Sequence, residues 1–402
     1  MSAPAIEATA ASRQGELAAA SDATDTNIAA TQPRRLSSGG RIDRDRALPF
    51  TFDGKHYVGH PGDTLASALL ANDVRFVARS FKYHRPRGIF SAGVEEPNAL
   101  VTLGHGARTE PNVRATVAEL HAGLEAHSQN HRGSLRFDAL AVNDLLSPFL
   151  GAGFYYKTFM WPKAFWERVY EPTIRAAAGL GALSGEPDPD VYDHGFLHCD
   201  LLVIGAGPAG LAAALAAGRA GARVLLADDG PRAGGRLLSE THRVNGLDGG
   251  DWAARAVAEL ESLDNVRILM RTTVHGTYDH GHFGAVERCT DHLPAAAATA
   301  PALPRQVHWT IRAARSLLCS GAIERPIAFP ENDRPGVMLA ASVRAYVNRY
   351  AVAPGRSTAV FTNNDDGWRT ATDLVTAGVE VAAVIDVRDR PAPVHVPGAR
   401  IV

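Results

Sequence analysis

The sequence predicts an α/β protein with a small β-rich module in front of it, and three observations carry that expectation. The first is Asp200-Leu-Leu-Val-Ile-Gly-Ala-Gly-Pro-Ala-Gly210, an apolar strand running into Gly205, Gly207 and Gly210 and then into an alanine-rich helix. The second is Arg223-Val-Leu-Leu-Ala-Asp-Asp229, a further apolar strand that ends in two acids. The third lies far upstream, where Pro49-Phe-Thr-Phe-Asp-Gly-Lys-His-Tyr-Val58 reads as a hairpin turning at Asp53-Gly54.

Strand, glycines, helix, strand and acid in this register form the dinucleotide fingerprint in its required context. Gly205 permits the tight turn, Gly207 lets the backbone approach a pyrophosphate, and Gly210 lets the helix lie close on the sheet. The helix from about Pro208 to Ala220 turns its free N–H groups and positive dipole end to the phosphates. Asp228 stands where a carboxylate accepts both ribose hydroxyls. The bland alternative is a degenerate turn in an ordinary α/β domain.

In chain order, residues 1–40 are rich in Ala, Ser, Thr and Gly without periodicity and are expected to be a disordered tail. Residues 41–110 follow as a β-grasp module: the hairpin, a cap at Pro61-Gly-Asp-Thr64, and the amphipathic helix Leu65-Ala-Ser-Ala-Leu-Leu-Ala-Asn72. Arg79-Ser-Phe-Lys-Tyr-His-Arg-Pro-Arg-Gly88 mixes cations with aromatics. It suits either an anionic ligand or an acidic partner surface. Residues 111–195 read as a helical, aromatic connector. Tyr155, Tyr156, Phe159, Trp161, Phe165 and Trp166 suit a junction or subunit interface better than a substrate pocket, and Pro187-Asp-Pro189 reads as a linker.

Residues 196–345 form the dinucleotide-binding domain. Gly234-Gly235-Arg236 is placed to complete the nucleotide cradle. A helix over 251–263 leads to the strand 266–270, and the strand at Thr273–Tyr278 offers the Val274 backbone to an adenine. Further strand-like pieces lie at 307–311 and 316–326. Residues 346–402 begin a second, incomplete Rossmann-like unit, with strand, helix and strand up to Asp386. Its loop, Thr362-Asn-Asn-Asp-Asp-Gly367, replaces the leading glycines with bulky polar residues. A relic without pyrophosphate binding is favoured there over a second cofactor site. The chain ends soon afterwards, which reads as a truncated or partial product.

Composition narrows the function classes. A formal charge of −2 over 402 residues gives no global pull toward nucleic acid or membrane. Cys199, Cys289 and Cys319 form neither a CxxC pair nor a metal cluster, and suit buried free thiols in a reducing cytoplasm. No apolar run reaches membrane-span length, and no signal pattern opens the chain. The 16 histidines and the carboxylates form no catalytic constellation.

Taken together, Ser80-Phe-Lys-Tyr-His-Arg-Pro-Arg-Gly-Ile-Phe90, Glu95-Glu-Pro-Asn-Ala-Leu100, the Gly-Ala-Gly-Pro-Ala-Gly unit, Gly321-Ala-Ile-Glu-Arg-Pro326 and Val360-Phe-Thr-Asn-Asn-Asp365 resemble the α subunits of heterotetrameric sarcosine oxidases. The likeness covers about residues 41–402 and corresponds to the N-terminal part of a longer family chain. It implies a ferredoxin-like β-grasp module followed by a two-dinucleotide-binding domain, of the FAD/NAD(P)-linked reductase type. Relatives in amine dehydrogenases and cyanide synthases keep cluster cysteines, whereas this sequence has none before Cys199, so a [2Fe–2S] cluster is not expected.

The resemblance further implies NAD in this chain, with FAD and FMN chemistry on a β subunit, and γ and δ subunits beside it. It also implies a C-terminal domain, missing here, that passes formaldehyde equivalents to tetrahydrofolate. Carried over residue by residue, the nucleotide positions are Ala209, Asp228, Asp229, Gly230, Arg236 and Val274. Two adjacent acids favour NAD over NADP. Arg236 stands where a small or hydroxyl residue is expected, and either pairs with the pyrophosphate or crowds it. Two other readings are a free-standing FAD- or NAD(P)H-dependent reductase and a non-catalytic nucleotide-binding scaffold.

Overall fold

The computed structural model describes residues 32–151, 153, 159, 161–177, 179, 181–294, 303–389 and 394–402. Within them the chain builds three main sheets in succession, of five, six and three strands.

The first sheet starts with β1 (Leu48–Phe52) and β2 (Lys55–Gly59), an antiparallel hairpin. Asp53 and Gly54 both take positive φ, 48° and 72°, as an Asp-Gly hairpin turn requires. Helix α1 (Leu65–Ala71) is buried along its whole length and opens on a reciprocal Thr64–Ser67 capping box. β3 (Leu100–Leu103), β4 (Glu110–Arg114) and β5 (Leu124–Ser128) complete the order β2-β1-β5-β3-β4. Phe50, Phe52, Leu65, Leu69, Val101 and Ala126 fill the core beneath.

β5 lies in the middle of this sheet, parallel to β1. The module therefore closes only at Ser128, and the boundary expected at 110 is too early. Leu124, Ala126 and Ser128 are the buried residues of a five-residue alternation, a weak sequence signal beside the aromatic run downstream.

The expected tail also shortens. Residues 1–31 lie outside the described residues, but 32–36 are fixed. The guanidinium of Arg35 donates to both oxygens of Asp63, at 3.1 and 2.7 Å, and that carboxylate is only 2% exposed. A buried carboxylate requires a counter-charge, and residue 35 supplies it. The Leu36 N–H donates to the Ala351 carbonyl and the Ala353 N–H to that of Arg34.

The second sheet comprises β6 (Tyr192–Ile204), β7 (Val224–Ala227), β8 (Val266–Leu269), β9 (Thr272–Tyr278), β10 (His282–Arg288) and β11 (Gln306–Leu318), in the order β8-β7-β6-β11-β10-β9. Four strands are parallel, and β10 and β9 form an antiparallel extension. Helices α2 (Pro208–Arg219) and α3 (Gly249–Glu261) cover one face through Leu211, Ala214, Ala253 and Leu260. Leu202, Leu225, Phe283 and Ile311 fill the other. The pieces expected at 307–311 and 316–326 are instead one strand ending at Leu318. It pairs with β6 from Tyr192 to Ile204, and the exposed Arg312 and Arg315 disguise its continuity in the sequence.

The third sheet is parallel: β12 (Ser357–Thr362), β13 (Glu380–Asp386) and β14 (Arg400–Ile401), with helix α4 (Asp365–Thr376) packed on it. The preceding helical segment, Ala340–Arg344 and Ala345–Arg349, sends Val343 and Val347 into the same core as Trp368, Leu374 and Val384. This unit therefore starts before residue 346.

Among its described residues the connector carries the short helix Val142–Leu145 and the contiguous helical stretches Lys163–Phe165, Trp166–Tyr170 and Glu171–Ala177. Phe137, Leu145, Phe149 and Trp161 are each at least 80% exposed on it. Tyr155 and Tyr156 lie outside the described residues.

Candidate functional site

β6 delivers the chain to a loop shaped by close approach. Gly205 has a φ of +104°, and a Cβ there would stand 2.5 Å from the Cys319 carbonyl oxygen. A Cβ on Gly210 would stand 1.8 Å from the Gly205 carbonyl oxygen, so α2 seats on the strand only with hydrogen at that position. Gly207 differs: a Cβ there meets nothing within 4 Å. It caps α2 in extended conformation with no side-chain acceptor, and Pro208 follows at the first turn. The first turn, with Ala209 exposed, thus presents its N-terminal N–H groups to open space.

The second glycine pair closes this space from the side. The Gly234 N–H donates to the Ala206 carbonyl at 2.8 Å. A Cβ on Gly235 would come within 3.0 Å of the Gly207 Cα. The two backbones therefore form one cradle, with the dipole end of α2 as its floor, suited to an anion that needs close main-chain approach.

The two acids at the end of β7 do different work. The Asp228 carboxylate accepts the Ala206 N–H at 2.6 Å and the Gly230 N–H at 2.8 Å, which ties the glycine loop to the strand end. Burial pushes its carboxyl up, and the neighbouring Asp229 charge adds to that. Each oxygen keeps acceptor capacity beyond these bonds. Asp229 is exposed, and among the described residues only its carbonyl is engaged, by Arg288 at 2.5 Å.

Arg236 and Val274 stand differently from expectation. The Arg236 guanidinium reaches Glu240 at 2.8 Å and Asp366 at 3.1 Å. In this structure it neither pairs with the cradle nor crowds it; two carboxylates hold it. The Val274 side chain packs into the core with Phe283 and Ile311, and its backbone lies opposite Ala285. The residues brought to the end of β7 are Arg271 and Thr272, whose N–H groups donate to the Gly230 and Asp228 carbonyls at 2.9 and 2.7 Å. Nothing in the sequence marks them, because their role comes from the crossing of the chain between β8 and β9.

The second unit repeats the plan with a closed loop. The side-chain Oδ1 of Asn364 caps α4 by accepting the Asp366 N–H at 2.9 Å, and Asp365 and Asp366 occupy the first turn. Asp386, at the end of β13, accepts the Trp368 indole N–H at 2.6 Å and pairs with Arg388 at 2.7 Å. This loop, Gly235 and Arg236 line a common cavity of about 980 Å³.

The thiols of Cys199 and Cys289 are pushed up to about 11, chiefly by burial, which disfavours them as nucleophiles. Among the described residues no group of three or more His, Cys, Asp or Glu is placed to hold a metal ion. No described helix is long and apolar enough to cross a membrane.

This is an α/β oxidoreductase fold with an open dinucleotide cradle behind a ferredoxin-type module. Residues 200–294 match the family of FAD dependent oxidoreductases, and residues 45–131 match a 2Fe-2S iron-sulfur cluster binding domain. L-proline dehydrogenase from P. horikoshii superposes with a TM-score of 0.57 at 19% identity, over 88% of this chain and 56% of that one. The chain is a homologue of the sarcosine oxidase α subunits. It is 59% identical to the α subunit of sarcosine oxidase from Rhizobium meliloti (strain 1021), over 89% of this chain and 36% of the relative. For the α chain from Corynebacterium sp. (strain P-1) the identity is 41%, over 89% and 32%. An opine oxidase subunit of Agrobacterium tumefaciens (strain Ach5) is 32% identical over 48% of this chain and 37% of its own. The chain spans about a third of the length of the sarcosine oxidase subunits it matches.

The cluster that the module's family description implies does not fit these residues. Between 45 and 131 the sequence contains no cysteine, and iron–sulfur clusters of this kind are held by thiolates.

Proposed function

We propose that this chain is the NAD-binding part of a sarcosine-oxidising α subunit, with flavin chemistry carried by its partner. The observation behind this reading is the open cradle: bare N–H groups at α2, open space at Gly207, and Gly235 against the same backbone. The pyrophosphate would lie on the N–H groups of Ala209 and Gly210. Asp228 and Asp229 would take the adenosine ribose, with Gly230 shaping the turn between them and the strand at Arg271–Val274 bordering the base. When bound, NAD supplies hydride-accepting capacity or a purely structural wedge. The chain's own residues bind and orient it.

In the complex, FAD and FMN would reside on a β subunit, with γ and δ subunits completing it. The products would be glycine, peroxide and formaldehyde or methylenetetrahydrofolate, made in the cytoplasm. The exposed apolar residues of the connector supply a surface for such a partner.

A second reading places FAD in the same cradle, and the match of residues 200–294 to FAD dependent oxidoreductases favours it. Calorimetric titration of the purified chain with NAD, NADP and FAD separates the two. Tight binding of NAD supports the first, and preference for FAD replaces it with the second. The chain alone should form no peroxide from sarcosine even with both flavins added, and should contribute to turnover only with a β subunit. Turnover by the isolated chain would reject the subunit reading.

A further inference from the structure

The module that lacks cluster ligands still has a built anion site, and one of its own side chains fills it. Glu96 is only 2% exposed. One carboxylate oxygen accepts the N–H groups of Phe90 and Ser91, at 2.9 and 2.6 Å. The other accepts those of Asn98 and Ala99, at 2.8 and 3.0 Å. Among the described residues, no other side chain of the module gathers four backbone donors. Converging main-chain N–H groups form the concavities that hold phosphates and the sulfurs of iron–sulfur clusters. Beside them lies Ser91, fully buried, with an Oγ that has no hydrogen-bond partner among the described residues.

We infer that the loop 88–99 is an anion nest in which the Glu96 carboxylate serves as a covalently attached ligand. Its role is structural and reaches beyond the module. The same loop presents the Phe90 carbonyl to the Leu339 N–H at 2.9 Å and the Ser91 carbonyl to the Tyr346 hydroxyl at 2.7 Å. Tyr346 is fully buried and belongs to the helical segment that feeds the third sheet's core. The anion thus sets the loop, and the loop seats that helix.

The test uses the full chain with Glu96→Gln, Glu96→Ala and, as a control, Glu95→Gln, whose carboxylate borders the large cavity instead. The Gln amide keeps the shape but turns an NH2 toward two N–H donors. It should lower the thermal midpoint by about 5 °C and speed amide exchange at Phe90, Ser91, Asn98 and Ala99. Glu95→Gln should do neither. Glu96→Ala removes what acetate replaces, so sodium acetate should raise its midpoint above equal sodium chloride, and neutral acetamide should not. If that variant is isolated unfolded, refolding yield in acetate against chloride gives the same readout. A Glu96→Gln protein with wild-type midpoint and exchange overturns the inference. So does a Glu96→Ala protein that responds to acetate no more than to chloride.

Discussion

The two strand–loop–helix–strand units differ most at the residues that would touch a ligand and least where helix meets sheet. In the first unit Gly207 leaves the end of α2 bare. In the second, Asn364 caps α4 and two aspartates add negative charge where a pyrophosphate would lie. Yet both units keep a glycine at the corresponding helical position. A Cβ would stand 1.8 Å from the Gly205 carbonyl oxygen at Gly210, and 2.3 Å from Thr362 Oγ1 at Gly367. The last glycine serves the packing of helix on strand. The middle one, Gly207, has no packing duty, since a Cβ there meets nothing within 4 Å, and the second unit folds without a glycine at that place.

Four experiments probe this contrast, from the largest effect to the smallest. Gly210→Ala should cost about 3 kcal/mol of stability, because the clash is with backbone that has no rotamer to yield. Gly367→Ala should cost less, since its Cβ would stand 2.3 and 2.4 Å from Thr362 Oγ1 and Cβ rather than 1.8 Å from a carbonyl oxygen. Chemical denaturation measures both, and equal tolerance at the two sites would break the packing argument.

Gly207→Val should keep the wild-type unfolding midpoint and lose NAD affinity by about 100-fold, since its side chain enters only the ligand's space. Calorimetry and a thermal scan on one sample decide it, and unchanged affinity would move the nucleotide elsewhere.

Separating the acids sharpens the comparison further. Asp228→Ala strands two loop N–H groups and should cost about 1–3 kcal/mol of stability along with affinity. Asp229→Ala should leave stability alone and erode the preference for NAD over NADP. Equal affinity of the wild type for both nucleotides would remove the basis for either assignment.

The smallest effect is a pH dependence of opposite sign at the two strand ends. Hydrogen bonding from Arg388 holds the Asp386 carboxyl well below its usual range. Its contribution is therefore present above about pH 4 and lost as pH falls through the lowered value. The Asp228 carboxyl is raised by burial. Its contribution is complete below about pH 4 and declines as pH rises through the raised value. Midpoints recorded from pH 3 to 7 should show Asp386→Asn flattening the loss on the acid side and Asp228→Asn flattening the decline above it. Parallel curves for the two variants would contradict the assignment.

The strands, helices and glycines of the first unit are legible because each carries a local signature: apolar runs, turn residues and a fixed spacing. The failures share a non-local cause. β5 joins the first sheet through a partner more than seventy residues away. Arg35 is ordered by a carboxylate buried under another element. The sequence neighbours of Arg236 line the cradle and point it to a pyrophosphate, but its partners come partly from α4. Asp228 and Asp229 are adjacent and chemically identical, so only the pleat of β7 separates loop anchor from free acid. Glu96 offers no periodicity at all; four main-chain N–H groups define it, and backbone direction is invisible in a residue string.

The short bridge between residues 34–36 and 351–353 has a kinetic consequence. It closes a loop of more than three hundred residues, so the entropy of closure is recovered only when the third sheet has assembled. Contacts of such sequence separation slow the approach to the native state. The segment beginning at Gln32 thus meets its partners in two stages, Asp63 and Ala71 of the first module early and residues 351–353 only late.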